Sequence, residues 1–403
     1  MVKMLFRLSL SIVFGFLIAA KSYAADCATP ATQPSRTIQL PGRPFRAITS
    51  ADGCWIFVSV SSSNPKEVNG VAVLRSNGNA DIAVVRVVPV ESAPGGLVLT
   101  HDGKLMIVAD DEFIVFLDVE KITRDAADPV LGFFRTQRDA QSVYVNVTGD
   151  DEFAFVSDEA AASITVINLK VARQNGFSEK SIVGRIPTGD APIALTFSPD
   201  GKLLYTTSEV ALKEWAWPAK CKSEGEDPST AKISVPEGAL IVVDAQKAKT
   251  DPANSVLARV PAGCSPVRAA IAPDGSSVWV TMRNGDAVAG FNAAKLLTEA
   301  DHARFASIPV GRAPVGIAVT VDGKYILSAD SNRFAPGRGT AQSLSVIDPK
   351  RVAEGTGAVL GTIEAGSFPR ELAVSSDGKT ILLTNYLSNS LQLIDAQHLP
   401  MKK

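Results

Sequence analysis

Three sets of residues in this 403-residue chain have the types and spacing to do chemistry. Arg46, Tyr144, Arg268 and Glu371 each stand two positions after a recurring proline or, once, a serine (Pro44, Ser142, Pro266, Pro369). A guanidinium offers a planar fork of donors to carboxylates and phosphates, and a carboxylate among such groups can serve as acid, base or counter-ion. The set therefore reads either as a site for a small anionic ligand or as an internal ion pair, Glu371 with Arg46 of the adjoining unit, because buried charges need partners. Asp110, Asp158, Asp330 and Asn385 each stand eight positions after a turn aspartate. Several carboxylates and an amide oxygen at one level suit calcium, at about 2.3–2.6 Å per ligand. The competing use is local, since Asp and Asn side chains bond to nearby backbone amides at turn starts. The third set is Trp215 and Trp217, in the sequence EWAWP within a long polar stretch over residues 208–237. Loops of that length in compact domains are commonly functional or disordered, so the tryptophans read either as a wall of a ligand site or as part of a surface loop that covers the ring's own apolar edge.

No catalytic residue is assigned. His101 precedes a turn, His302 lies in an excursion between strands and His398 is in the tail, so none is placed as a general base near the two arginines. The chain carries no Gly-x-Ser-x-Gly, nucleotide-loop or haem-attachment motif in a supporting context.

The elements that must position these residues repeat. Asp52-Gly53, Asp102-Gly103, Asp150-Asp151, Asp200-Gly201, Asp274-Gly275, Asp322-Gly323 and Asp377-Gly378 mark seven units, spaced 48 to 55 residues apart except for one interval of 74 that holds the tryptophan stretch. Asp-Gly between two alternating apolar runs signals a hairpin, because glycine tolerates the backbone angles the turn needs. Eight residues before each Asp stands a proline, or Ser142 once; proline lacks an amide hydrogen and suits the entry to a strand. Third strands follow as SITVINL, ALIVVD, SLSVID and SLQLID. Seven units of about four strands predict an all-β, seven-bladed β-propeller, with blades near 41–90, 91–138, 139–189, 190–263, 264–311, 312–366 and 367–395, in one domain over 36–399. The last unit lacks a fourth strand and the strand 36–40 is an orphan, so the N-terminal strand is expected to complete the last blade and close the ring.

Units that read G-x-x-P, apolar strand, DGK, a strand ending in TNY and then NSLxxID resemble the YVTN-repeat propellers, which are related to the lactonase-like propeller group; the closest phrase is TNYLSNSLQLID in the last unit. The resemblance covers residues 36–395. It implies the propeller fold, and with it either a binding or scaffolding role or a lactonase-like ester hydrolase; no catalytic motif of the group maps onto particular positions here. A propeller also sorts the cysteines. Cys27 and Cys54 fall on the face of the Asp-Gly turns, whereas Cys221 and Cys264 fall on the proline face, which predicts Cys27–Cys54 and Cys221–Cys264 among the three possible pairings.

Residues 1–24 pair a basic start (Lys3, Arg7) with an apolar run and Ser22-Tyr23-Ala24, the pattern of a cleaved secretory signal, followed by an N-terminal segment over 25–35. Loss of Lys3, Arg7 and Lys21 takes the formal charge from −2 to −5, and no Lys/Arg run tracks phosphates, which speaks against nucleic acid or an anionic membrane as partner. The expected protein is periplasmic or secreted and monomeric. It binds a small anionic ligand or an envelope protein through the proline face, with the tryptophan loop as a lid, and needs no cofactor unless calcium occupies the Asp ring.

Overall fold

The computed structural model describes residues 27, 35–62, 68–76, 82–225, 230–334 and 342–399. The signal assigned to residues 1–24 and nearly all of the segment 25–35 lie outside them. Within the described residues the chain forms seven antiparallel sheets in sequence order, and one separate two-stranded hairpin. Each blade begins at its proline, turns at Asp-Gly and returns. In every blade but the fifth, where Ala272 stands, a Ser or Thr two residues before the turn Asp donates to its carboxylate, as in Thr100–Asp102 (2.6 Å) and Thr320–Asp322 (2.7 Å). At blade three Asp151 takes the glycine's place at φ 55°.

Among the described residues the core is not one cluster but eight: seven lie between neighbouring blades, because the apolar face of a twisted sheet is buried only by the next sheet, and a small eighth lies at the axis. Ile38 and Leu40 join Leu382, Leu391 and Leu393 of the last blade with Ile56, Val58 and Val60 of the first. Ser35–Gln39 supplies the fourth strand of the last blade and pairs with Ser390–Asp395 in the register Ile38↔Leu391. The ring is closed by the N-terminal strand, as the orphan pattern predicts.

Short helices follow several third strands, at Val119–Thr123, Leu169–Gln174 and Ala245–Ala248. The last residue of each strand caps them: Asp118, Asn168 and Asp244 accept from the first-turn amides, the usual role of Asp and Asn at a helix start. Both disulfides join the predicted partners, Cys27–Cys54 and Cys221–Cys264, which fits an oxidising compartment. Among the described residues no helix is long and apolar enough to cross a membrane.

Candidate functional site

The first strands do not run straight from proline to turn. In five blades the pairing with the second strand slips just after the entry residue, between Pro44 and Ala47, Ser142 and Tyr144, Pro266 and Ala269, Pro314 and Ile317, and Pro369 and Glu371. Such a bulge bends a strand and re-aims side chains. Here it turns the residues one and two positions after the proline toward the axis.

A hydroxyl seven residues after the turn Asp locks the bulge. Thr281 accepts from the Arg268 amide (3.1 Å) and donates to the Val315 carbonyl of the next blade (2.9 Å). Thr384 does the same between Glu371 and Phe45, and Ser59 between Arg46 and Gly95. Thr207 bridges Ala194 to Val267, and Ser157 donates to Ile193. These residues carry no mark in the sequence beyond their recurrence at one register, yet they fix the backbone of every charged residue on the axis. Two glycines complete the arrangement by close approach. A Cβ on Gly96 would sit 2.9 Å from the Tyr144 Cα, and one on Gly316 would sit 2.8 Å from the Arg370 carbonyl oxygen.

The structure brings Arg46, Tyr144, Arg268 and Glu371 together around a cavity of about 290 Å³. Arg268 Nε donates to Glu371 Oε2 at 2.6 Å, with both side chains buried, while Arg46 approaches the other carboxylate oxygen only to 3.7 Å. The tighter partner of Glu371 is thus the arginine across the ring rather than its neighbour in the first blade. Both guanidinium groups lie over the Tyr144 ring, at 4.5 and 4.8 Å from its centroid, within cation–π range. Burial pushes the Arg46 guanidinium below its usual value and the charge of Arg268 adds to that, with Glu371 opposing. Two cations share one anion in a desolvated space; Arg46 Nε and Arg268 Nη1 have no acceptor.

The cavity mouth lies on the opposite face from the one expected. Its wall continues through Asn146, Thr196, Ala270 and Ile271, toward the Asp-Gly turns, where exposure rises. At the proline end Ile193, Val267, Val315 and Phe368 form a buried apolar plug. Because the bulge residue one after the proline points inward, it seals the entry that sequence reasoning assigned to the ligand. The tryptophans take the second of their two expected places, the surface loop over an apolar edge. Trp215 and Trp217 lean on each other at 5.3 Å, half-buried, with Trp215 against Gly189 and Arg259 on the flank of blade four. They cover a blade edge and do not line the axial cavity.

The Asp ring does not converge either. Asp158 accepts from Thr136, Ser142 and Thr165, and Asp330 from Ser328 and Ser345, each within its own part of the ring. Asp110 accepts from the Ser92 amide, and Asn385 donates to Ser390 and Gln392. Among the described residues no three His, Cys, Asp or Glu side chains gather in a group that could hold a metal ion. His101 faces Asp151 at 2.7 Å on the turn face and His398 faces Asp395 at 2.6 Å, both away from the axis.

The Asp ring sets a pH dependence: burial raises Asp110 to about 6 and also raises Asp158, and it acts more strongly on Asp330 than on Asp110. Burial raises Asp330 to about 7, against the serine hydroxyls and the Gly311 amide that favour its ionised form. The fold then holds a proton that the unfolded chain has released above its ordinary value of 3.8. Stability therefore falls as pH rises from about 4 to about 7, at about 1.4 kcal/mol per unit for this group, and levels off above. Asp330→Asn is expected to reduce the slope of that segment, and Asp110, raised to about 6, retains its share. Urea unfolding across this pH range checks it, and parallel curves for variant and wild type would contradict it.

No model of a known protein family matches the chain, and no curated protein matches it. Among solved structures, hydrazine synthase of Kuenenia stuttgartiensis superposes with a TM-score of 0.63 at 18% identity, over 89% of this chain and 96% of that one. A chain of the mitotic checkpoint complex superposes with a TM-score of 0.60 at 14% identity, over 96% and 99%. What they share is the fold. This protein is a seven-bladed β-propeller. At such identities the likeness extends to architecture and not to activity.

Proposed function

We propose that this propeller is an exported binding module of the YVTN, lactonase-like kind. Its axial cavity takes a small carboxylate or phosphate that enters from the Asp-Gly face. The observation that carries this reading is the charge count at the axis: Arg46 and Arg268 against the single carboxylate of Glu371, with Arg46 held only loosely by it. An anion beside Arg46 supplies the missing counter-charge, in a place where low polarity strengthens the attraction. Asn146 and Thr196 add polar groups at the mouth. Export rests on the leader pattern together with the two disulfides.

Glu371 gives one oxygen to Arg268 in a hydrogen bond and faces Arg46 with the other, which makes it a counter-ion before it is a base. Hydrolysis of a lactone is the competing activity, and the same variants decide between them. Titration calorimetry with inorganic phosphate, acetate and citrate is expected to show binding that weakens with salt and falls at least roughly tenfold in Arg46→Gln. No binding of any of the three would overturn the reading. Turnover of a simple lactone by the wild type, lost in Arg46→Gln at unchanged melting temperature, would replace binding by catalysis.

A further inference from the structure

The plug at the proline end contains one residue that does not belong in a plug. The positions directly after the entry residue are Phe45, Gly95, Val143, Ile193, Val267, Val315 and Arg370. Five carry apolar side chains, one is glycine and the seventh is a guanidinium. Arg370 stands against three aromatic rings, at 4.0 Å from the centroid of Phe45, 4.9 Å from Tyr386 and 5.4 Å from Phe368. Arg370 does not line the axial cavity, although it shares the Phe45 ring with Arg268, whose guanidinium lies 5.7 Å from the ring centroid. Among the described residues no acidic side chain pairs with it. The adjacent carboxylate, Glu371, is already held by Arg268. Its Nε is sealed from water without an acceptor. The residue as a whole is half-buried, not sealed. Burial and the charge of Arg268 hold the group down at about 10, the mark of a cation that lacks a counter-charge.

The surroundings specify what is missing. Ile193, Val267, Val315 and Phe368 form an apolar floor next to the fork. Arg43 lies over Tyr386 and the exposed Arg333 over Phe368, which adds positive charge at the rim.

We propose that Arg370, with Phe45, Phe368 and Tyr386, forms a second anion site on the proline face, and that it takes a carboxylate joined to an apolar group. The fork pairs with the carboxylate in two parallel hydrogen bonds, and the apolar part rests on the aromatic and aliphatic floor. A free organic acid and the C-terminus of a polypeptide both present this chemistry. The site opens on the proline face and uses none of the residues that line the axial cavity.

The test is calorimetric titration of the full chain with phenylacetate and with a short peptide that ends in a leucine carboxylate, each beside its amide. At least one acid is expected to bind, its amide at least roughly tenfold more weakly. Arg370→Leu abolishes the binding and Arg370→Lys weakens it, because lysine lacks the fork; Arg46→Gln leaves it within about twofold. Tighter binding of the peptide identifies a chain terminus as the source, and tighter binding of phenylacetate a free acid. The Leu variant carries an apolar side chain, the kind that five other blades place at this position, and its melting curve reports whether it folds. Equal affinity for acid and amide, equal affinity in Arg370→Leu, no binding of either acid, or loss with Arg46 in place of Arg370 would overturn the proposal.

Discussion

Removal of residues 35–40 is expected to turn a single cooperative unfolding transition into a broad one at much lower temperature. The strand contributes a full set of ladder bonds to Ser390–Asp395, and it buries Ile38 and Leu40 in the cluster that joins the last blade to the first. Loss of each buried aliphatic costs about 2–5 kcal/mol. The two together approach the whole stability of a typical domain, about 5–15 kcal/mol. The exposed edge of Ser390–Asp395 also invites pairing between chains, so size-exclusion chromatography should show association. Internal deletion of a loop of equal length serves as control. A deleted protein that melts within a few degrees of the wild type would mean that the ring is closed by the other inter-blade layers alone.

Glu371→Gln is expected to be the most damaging single substitution on the axis, by about 3–5 kcal/mol, since it leaves Arg268 buried without its counter-charge. The same change with Arg268→Met removes both charges and should recover most of the loss, as replacement of a buried pair by apolar groups is often neutral. Urea denaturation of the two single variants and the double variant closes the cycle. A small cost for Glu371→Gln, with additive effects in the double, would show that the pair is solvated. The variant also reports on ligand binding: inorganic phosphate should restore part of its stability, because an anion bound only to the fold shifts the equilibrium by mass action.

Much of the architecture was legible because it repeats. Asp-Gly turns, entry prolines and period-two strands each specify local structure through short-range sterics and hydrogen bonding. Their recurrence multiplies a weak signal sevenfold. The cysteine pairing followed from strand direction alone. The four axial residues were also legible as a ring of equivalent positions. The hydroxyls of Ser59, Ser157, Thr207, Thr281 and Thr384 were open to the same reasoning, since they recur at one register and a small polar residue within a strand needs a partner.

What the sequence by itself determined was the unit, the number of units, the closing strand, the disulfide partners and which residues reach the axis; all of these depend on spacing and alternation. Only the tertiary structure decided where those residues point and with whom they pair. A one-residue bulge turns Val267 and Val315 into a plug with Ile193 and Phe368, and the cavity mouth falls on the turn face. Glu371 pairs across the ring with Arg268, more than a hundred residues away in sequence. The Asp ring is held blade by blade instead of converging, and the tryptophans settle on the flank of blade four. The physical reason is common to all four: register and alternation are properties of one strand and its hairpin, whereas a bulge's direction, a counter-ion's identity and a loop's resting place are set by the free-energy balance among several blades at once.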